Sequence, residues 1–493
     1  MTTLDPAARA PAEHPAPAGH DSGLLGIWQV YSPGRVPAFA IFAFVAAHGV
    51  FGLVSDYSPP PLSTLHAVGA LAITLWLVGV RRNAEATACA AAYVASSDVL
   101  WRMTEASVPW EISKLTLIVV FAVSTVRVIR RPRRLGLPLA ILLLLLPSAV
   151  VTIERFGLLG NGRERLSFEL AAHVALVAGV IFFSNLKVER QTFAGILWMV
   201  VAPTLSVNVI ATIGTIGLDS EGFSGTVSNR AASGGYGPNQ VSALIGVAAM
   251  ICVFLVFIER RPVLRVLAAG LSIWFLAQSA LTFSRGGSFN IAVALIVAIP
   301  FFFRTAQMAT RFLATVTVVG LVIAFGMIPV IQNVTGGHFG ERFTNSNPTL
   351  RGDLMRMELE TWADNPVLGI GVGMMERTVE DEGAGERGEL PALPTHTEFT
   401  RLLAEHGLLG LAVILALIAL AVRGIRDQPL LEGKIISVVL VCWCASEVSH
   451  SSTRLALVPF LFSLAAVPIV ANGTLQAGGD PPGDRKGQQP VEG

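Results

Sequence analysis

Arginines set in glycine-rich turns, and a histidine at the edge of a long polar segment, are the side chains best suited to chemistry in this chain. One turn reads Leu281-Thr-Phe-Ser284-Arg285-Gly286-Gly287-Ser288. Another reads Asn229-Arg230-Ala-Ala-Ser-Gly234-Gly235-Tyr236-Gly237-Pro238-Asn239. A guanidinium offers forked donors and a permanent charge, which suits a pyrophosphate, and flanking glycines let a large anion approach the backbone. The polar segment, 332–399, holds Arg351, then Asn365-Pro366-Val-Leu-Gly369-Ile-Gly371-Val-Gly373, then Pro394-Thr395-His396-Thr397-Glu398. A histidine at that junction of water and apolar chain can exchange a proton with a bound substrate.

Each of these residues has a plainer alternative. Arg285 could anchor a turn at headgroup level, and Arg351 could pair with Asp353 or Glu358. The Gly369–Gly373 run is weak as a nucleotide fingerprint, because no strand precedes it. It is expected instead to give a tight backbone that hugs a substrate. Glu398, Arg401 and Glu405 share one helical face, where a salt-bridged stripe is as good a reading as catalysis. Glu169 with His173, and Glu447 with His450 and Arg454, are costly in lipid and are expected to line a cavity.

Lipid must position these groups. Hydrophobic residues make up 53% of the 493, charged ones 14%, and the formal charge is +1; mean hydropathy is +0.62. That composition lies outside the range of soluble domains, and the charge argues against nucleic acid as a partner. Apolar runs long enough to cross ~30 Å of hydrocarbon recur about fourteen times, the first at 37–54 and the last at 434–450 and 455–471. Backbone groups in lipid must satisfy one another, and the runs show no period-two alternation, so they are expected to be helices. The first run is expected to act as an uncleaved signal. Cys89, Cys252, Cys442 and Cys444 all fall inside apolar runs and read as buried thiols.

Clusters at Arg81-Arg82, Arg130 to Arg134, Lys187 with Arg190, Arg260-Arg261, Arg304 with Arg311, and Arg423, Arg426 and Lys434 fall in alternate connections. By the positive-inside rule those connections are cytoplasmic, and the polar segment 332–399 is extracytoplasmic. Residues 1–25 and 472–493 have the composition of disordered tails. Between them the expected organisation is a membrane region over 26–331, the extracytoplasmic loop over 332–399, and membrane helices over 400–471.

In order and spacing, these motifs resemble the O-antigen ligase and O-antigen polymerase superfamily over roughly residues 225–425. The shared pattern is a Ser-Arg-x-Gly turn, an arginine followed by Pro-x-x-Gly-x-Gly, and a histidine before Glu-x-Gly-Leu-x-Gly. Ser284 to Gly287, Arg351 with Pro366 to Gly371, and His396 with Glu405 to Gly410 carry it. The chain departs in having Thr397 where the family usually has asparagine; either side chain offers a hydrogen bond.

The resemblance implies an all-α, GT-C-like bundle of about 12–14 spans in the inner membrane, with its active site facing the periplasm or cell exterior. It implies glycosyl transfer from an undecaprenyl-pyrophosphate-linked glycan to a hydroxyl on a glycan, lipid A-core or protein, with inversion and with neither metal nor cofactor. His396 would be the base. Arg230, Arg285 and Arg351 would neutralise the pyrophosphate. Gly286, Tyr236, Asn239, Glu398 and Gly371 would contact substrate. The competing reading is a transporter or flippase of lipid-linked glycan, disfavoured because the two halves of the chain show no internal repeat.

Overall fold

The computed structural model describes residues 36–57, 59–81, 83–129, 132–344, 351–375, 397–447 and 455–477. Among them, eleven helices are long and apolar enough to cross a membrane. In chain order the bundle begins with α1 (Ala38–Tyr57), α2 (Pro59–Trp76), α3 (Ala84–Met103), α4 (Ile112–Ser124), α5 (Gly136–Phe156) and α6 (Asn161–Ser184). After the two-residue strand β1 (Val188–Glu189) come α7 (Arg190–Ile216), α8 (Pro238–Ile258), α9 (Pro262–Leu281), α10 (Arg285–Phe302) and α11 (Ala306–Leu321). The short helices α12 (Ile328–Val334), α13 (His338–Thr344) and α14 (Arg351–Asp364) follow. The chain then returns as α15 (Glu398–Arg426), α16 (Leu431–Glu447) and α17 (Leu457–Leu464), ending in β2 (Ile469–Val470) and α18 (Thr474–Ala477).

Local chemistry starts several of these helices. Pro238 and Pro262 occupy the first turns of α8 and α9, where the missing N–H costs nothing. Asn83 caps α3, its side chain accepting from Glu85 N at 2.9 Å and Ala86 N at 3.1 Å. The centre of the bundle is α7 and α8, each 83% buried over its most apolar stretch, whereas the span from Ala306 to Val334 is only 6% buried. That span is the least packed against the rest of the bundle.

Two features differ from the sequence expectation. The expected span over 455–471 is helical only in α17. Beyond it the chain is extended, and β2 pairs with β1 in parallel, Val188 opposite Ile469. Buried non-helical backbone survives only where protein groups satisfy it. Gln428 does so, donating to Val467 O at 2.7 Å and accepting from Ile469 N at 3.0 Å, while Ser437 donates to Ala465 O at 2.8 Å. Similarly, the start of the expected C-terminal tail is tied down, with Gly473 N donating to Glu189 Oε1 at 2.9 Å. The rest of both tails lies outside the described residues.

Contacts among connections define two ends of the bundle. At one end Arg134 pairs with Asp427 at 2.6 Å, Arg190 pairs with Glu432, and Arg261 reaches Val36 O at 2.5 Å. Glu259, fully buried, gathers Arg261, Gln191 and Trp198 at that same end. The other end collects the glycine-rich turns, α13, α14 and the Pro366 to Met375 run.

Candidate functional site

The two arginine-bearing turns are hydrogen-bonded to each other. Asn229 N donates to Thr282 O at 2.7 Å, and Ser284 Oγ donates to Asn239 Oδ1 at 2.8 Å. Between these bonds Phe283 takes a left-handed φ of 57°, a strained conformation for a bulky aromatic. Burial of its ring against Phe223, with centroids 5.3 Å apart, and Arg342 hold it there. Arg342, buried on α13, donates through Nε to Phe283 O at 2.9 Å and through Nη1 to Thr226 O at 2.7 Å. The turn that presents Arg285 is thus braced from three directions. Arg285 opens α10 and is half-buried. Arg230 is exposed, its Nε on Gly235 O at 2.8 Å. Tyr236, half-buried, donates its hydroxyl to Gln240 Oε1 at 3.2 Å.

Glycine has a different task here from the one expected. Gly286 and Gly287 are both buried. A Cβ on Gly287 would lie 2.4 Å from Ser242 O, so its smallness lets α10 cross α8 closely. Gly371 is likewise no open cradle. Its φ is 106°, its N–H donates to Glu405 O at 3.1 Å, and a Cβ would lie 2.9 Å from Thr152 Oγ1. The Pro366 to Gly373 run docks onto α15 where that helix breaks at Gly407, with φ 61° and ψ −141°. Leu408 N donates to Pro366 O at 2.8 Å and Ile370 N to Ala404 O at 3.0 Å across this joint. What was expected to hug a substrate hugs a helix.

Beneath the run lies a buried knot of charge. Arg401, 4% exposed, pairs with Glu169 of α6, with Glu398 at 2.5 Å and with Glu405 at 3.9 Å. The one-faced stripe predicted on α15 forms, and Glu398 is a partner of Arg401 within it. Glu405 also accepts from Met375 N at 3.2 Å, and His406 meets Ser148 Oγ at 2.8 Å. His173 stays one turn from Glu169, with Nδ1 3.2 Å from its carbonyl. Both His173 and Glu398 stand at the polar end of an apolar groove of about 140 Å³ between α6, α15, α16 and α17. Farther round, Glu447 accepts from Asn290 of α10.

Glu358 of α14 is the site residue that sequence reasoning valued least. It has no exposed surface and accepts hydrogen bonds from Thr397 and Thr400, while its Oε1 has no hydrogen-bond partner among the described residues. Burial pushes its carboxyl above the usual range, against the pull of the two threonines and Arg401. The sequence offered it only as a partner for Arg351. Arg342 was missed outright, since nothing in its local sequence distinguishes it from an exposed arginine. His396, His450, Arg454 and the side chain of Arg351 lie outside the described residues; Thr397, next to His396, is buried at the start of α15.

A comparison with curated proteins finds no match to the chain. Residues 270–415 match the model of the O-antigen ligase family. The matched stretch contains Arg285, Arg351 and His396 but begins after the turn that holds Arg230, which joins it through Asn229 and Asn239. With the many apolar helices, the match supports a multi-pass membrane enzyme of the glycosyltransferase type, working on a lipid-linked glycan donor and a glycan acceptor. Over residues 270–415, then, the chain is similar to the O-antigen ligase family, as its motifs led one to expect.

Proposed function

We propose that the protein transfers a glycan from an undecaprenyl-pyrophosphate donor to an acceptor hydroxyl at the extracytoplasmic face of the inner membrane, as an O-antigen ligase or polymerase. The observation that carries this reading is the family match across 270–415, which spans the Ser284-Arg285 turn and the His396 junction in one segment. Sidedness rests on charge: connections bearing Arg134, Arg190 and Arg261 meet at one end of the bundle, opposite the glycine-rich turns, and cationic connections stay in the cytoplasm.

Arg285 and Arg230 hold the pyrophosphate. Their charge stays put and their hydrogen bonds need no rearrangement as the leaving group gains negative charge. Arg351, which precedes the docked Pro366 run, contributes a third cation. His396 takes the acceptor proton as the hydroxyl oxygen attacks the anomeric carbon, the pyrophosphate leaves with the electron pair, and the centre inverts. Bracing of the Phe283 turn supports this division of labour, because a clamp for a transition state gains from rigidity.

The test is His396→Ala in purified protein supplied with polyprenyl-pyrophosphate-linked glycan and acceptor. Transfer should vanish, with donor binding and thermal stability kept, since a base acts in the transition state. Near-normal turnover would demote His396 to an interfacial residue. A wild-type protein that only carries lipid-linked glycan across liposomes, without joining it to anything, would replace the transferase reading with transport.

A further inference from the structure

A second cavity opens at the same end of the bundle, between α3 and α4. Its volume is about 220 Å³, and Asp98, Trp101, Arg102, Glu105, Pro109 and Trp110 line it. That is room for about seven waters at ~30 Å³ each, the scale of one sugar ring rather than of a lipid chain. It neighbours the turn that carries Arg230: a Cβ on Gly234 would lie 2.1 Å from Cε of Met103.

The walls combine an aromatic face with fixed polar groups. Trp110 is 46% exposed, and the Arg102 guanidinium lies 4.3 Å from its ring centroid. Arg102 pairs with Asp98 at 3.0 Å and donates to Trp110 O at 3.2 Å, while Asp98 accepts from Ala456 N at 3.2 Å. Trp101 is buried and donates to His66 Nδ1 at 2.9 Å, so the back wall is fixed as well. At the rim, Glu105 has a left-handed φ of 53° and no ion-pair partner among the described residues. Strain of this kind in a non-glycine residue accumulates where function holds the backbone in place.

Charge selects the ligand. Among the described residues Asp98 offsets Arg102, and Glu111 offsets Lys114 behind them at 2.5 Å, leaving the Glu105 carboxylate in excess. An anion meets repulsion here, so this cavity is no extension of the pyrophosphate clamp. A pyranose fits: its C–H face stacks on indole, and its hydroxyls bond to carboxylate and guanidinium. We infer that the cavity seats a neutral or amino-bearing sugar ring of the acceptor glycan and discriminates against acidic sugars. This rests on the transferase reading for the word acceptor, while saccharide binding stands apart from it.

The test uses the full chain in nanodiscs and a panel of fluorophore-labelled oligosaccharides: uncharged, amino-bearing and uronate-bearing. Uncharged or amino probes should bind. Trp110→Ala should weaken them about tenfold, equivalent to ~1.4 kcal/mol; Trp110→Phe should restore most of the affinity, and polyprenyl pyrophosphate binding should be unchanged throughout. Glu105→Gln should narrow the gap between neutral and uronate probes. Absence of binding by every neutral and amino probe, preference for uronates, indifference to Trp110→Ala, or a parallel loss of polyprenyl pyrophosphate would each overturn the assignment. Should transfer prove absent from the wild type while Trp110-dependent glycan binding persists, the transferase reading fails and the saccharide site survives.

Discussion

Arg401 and Arg230 stand at the same end of one bundle in opposite surroundings. Arg401 is buried, with carboxylates of Glu169, Glu398 and Glu405 around it. Arg230 is exposed on a turn, with Nε committed to a backbone carbonyl and no carboxylate paired with it among the described residues. A compensated cation in a low-dielectric interior is a structural tie, since breaking it strands charge where water cannot follow. An exposed cation on a braced loop costs little to maintain and keeps its charge for a ligand. Arginine content alone therefore says nothing about where an anion binds; the neighbours decide.

The sharpest way to break this comparison is Arg401→Met. It removes the cation, keeps most of the volume and leaves three buried carboxylates, so stability should fall by about 3–5 kcal/mol. Thermal unfolding in detergent would register it, and a wild-type Tm would refute the structural role. Arg285→Lys comes next in size. Charge stays but the fork goes, so transfer should drop about tenfold or more, through loss of a charge-assisted bond of ~1.5–3 kcal/mol, with Tm unmoved. Turnover equal to wild type would reduce Arg285 to a turn residue.

Glu358→Gln should have the smallest effect, and it is read through pH. Burial raises the carboxyl in the folded protein above its unfolded value of 4.5. The folded state therefore favours the protonated form: the stability this gives is complete below the unfolded pKa and is lost as pH rises through the folded one. Wild type should thus lose Tm relative to the Gln variant as pH rises above the unfolded value. Parallel Tm profiles for the two proteins would show that Glu358 titrates normally.

Much of this was legible in the sequence. Lipid allows so few backbone solutions that continuous apolar runs had to be helices, and α1 to α11, α15 and α16 fall where those runs lie. The one-faced stripe of Glu398, Arg401 and Glu405 followed from helical spacing alone. Asp98 was passed over, although an acid inside an apolar run is the kind of residue that marks a functional site, and its neighbour Trp110 carried no such signal. By contrast, the glycines misled. Positive φ at Gly371 and Gly407 could be guessed from glycine, but whether the bared backbone meets a ligand or a helix depends on what arrives from elsewhere in the chain.

By itself, then, the sequence determined the membrane character, the helices, the family resemblance and the residue types on offer, because these depend on local apolarity, spacing and motif. Only the tertiary structure decided partners. Glu169 reaches Arg401 across 232 positions, Gln428 satisfies the extended chain after α17, and Arg342 braces the Phe283 carbonyl 59 residues away. Ion pairs and hydrogen bonds act over a few ångströms in space, whatever the separation along the chain. Which charge is neutralised and which stays available is therefore a property of the packed bundle.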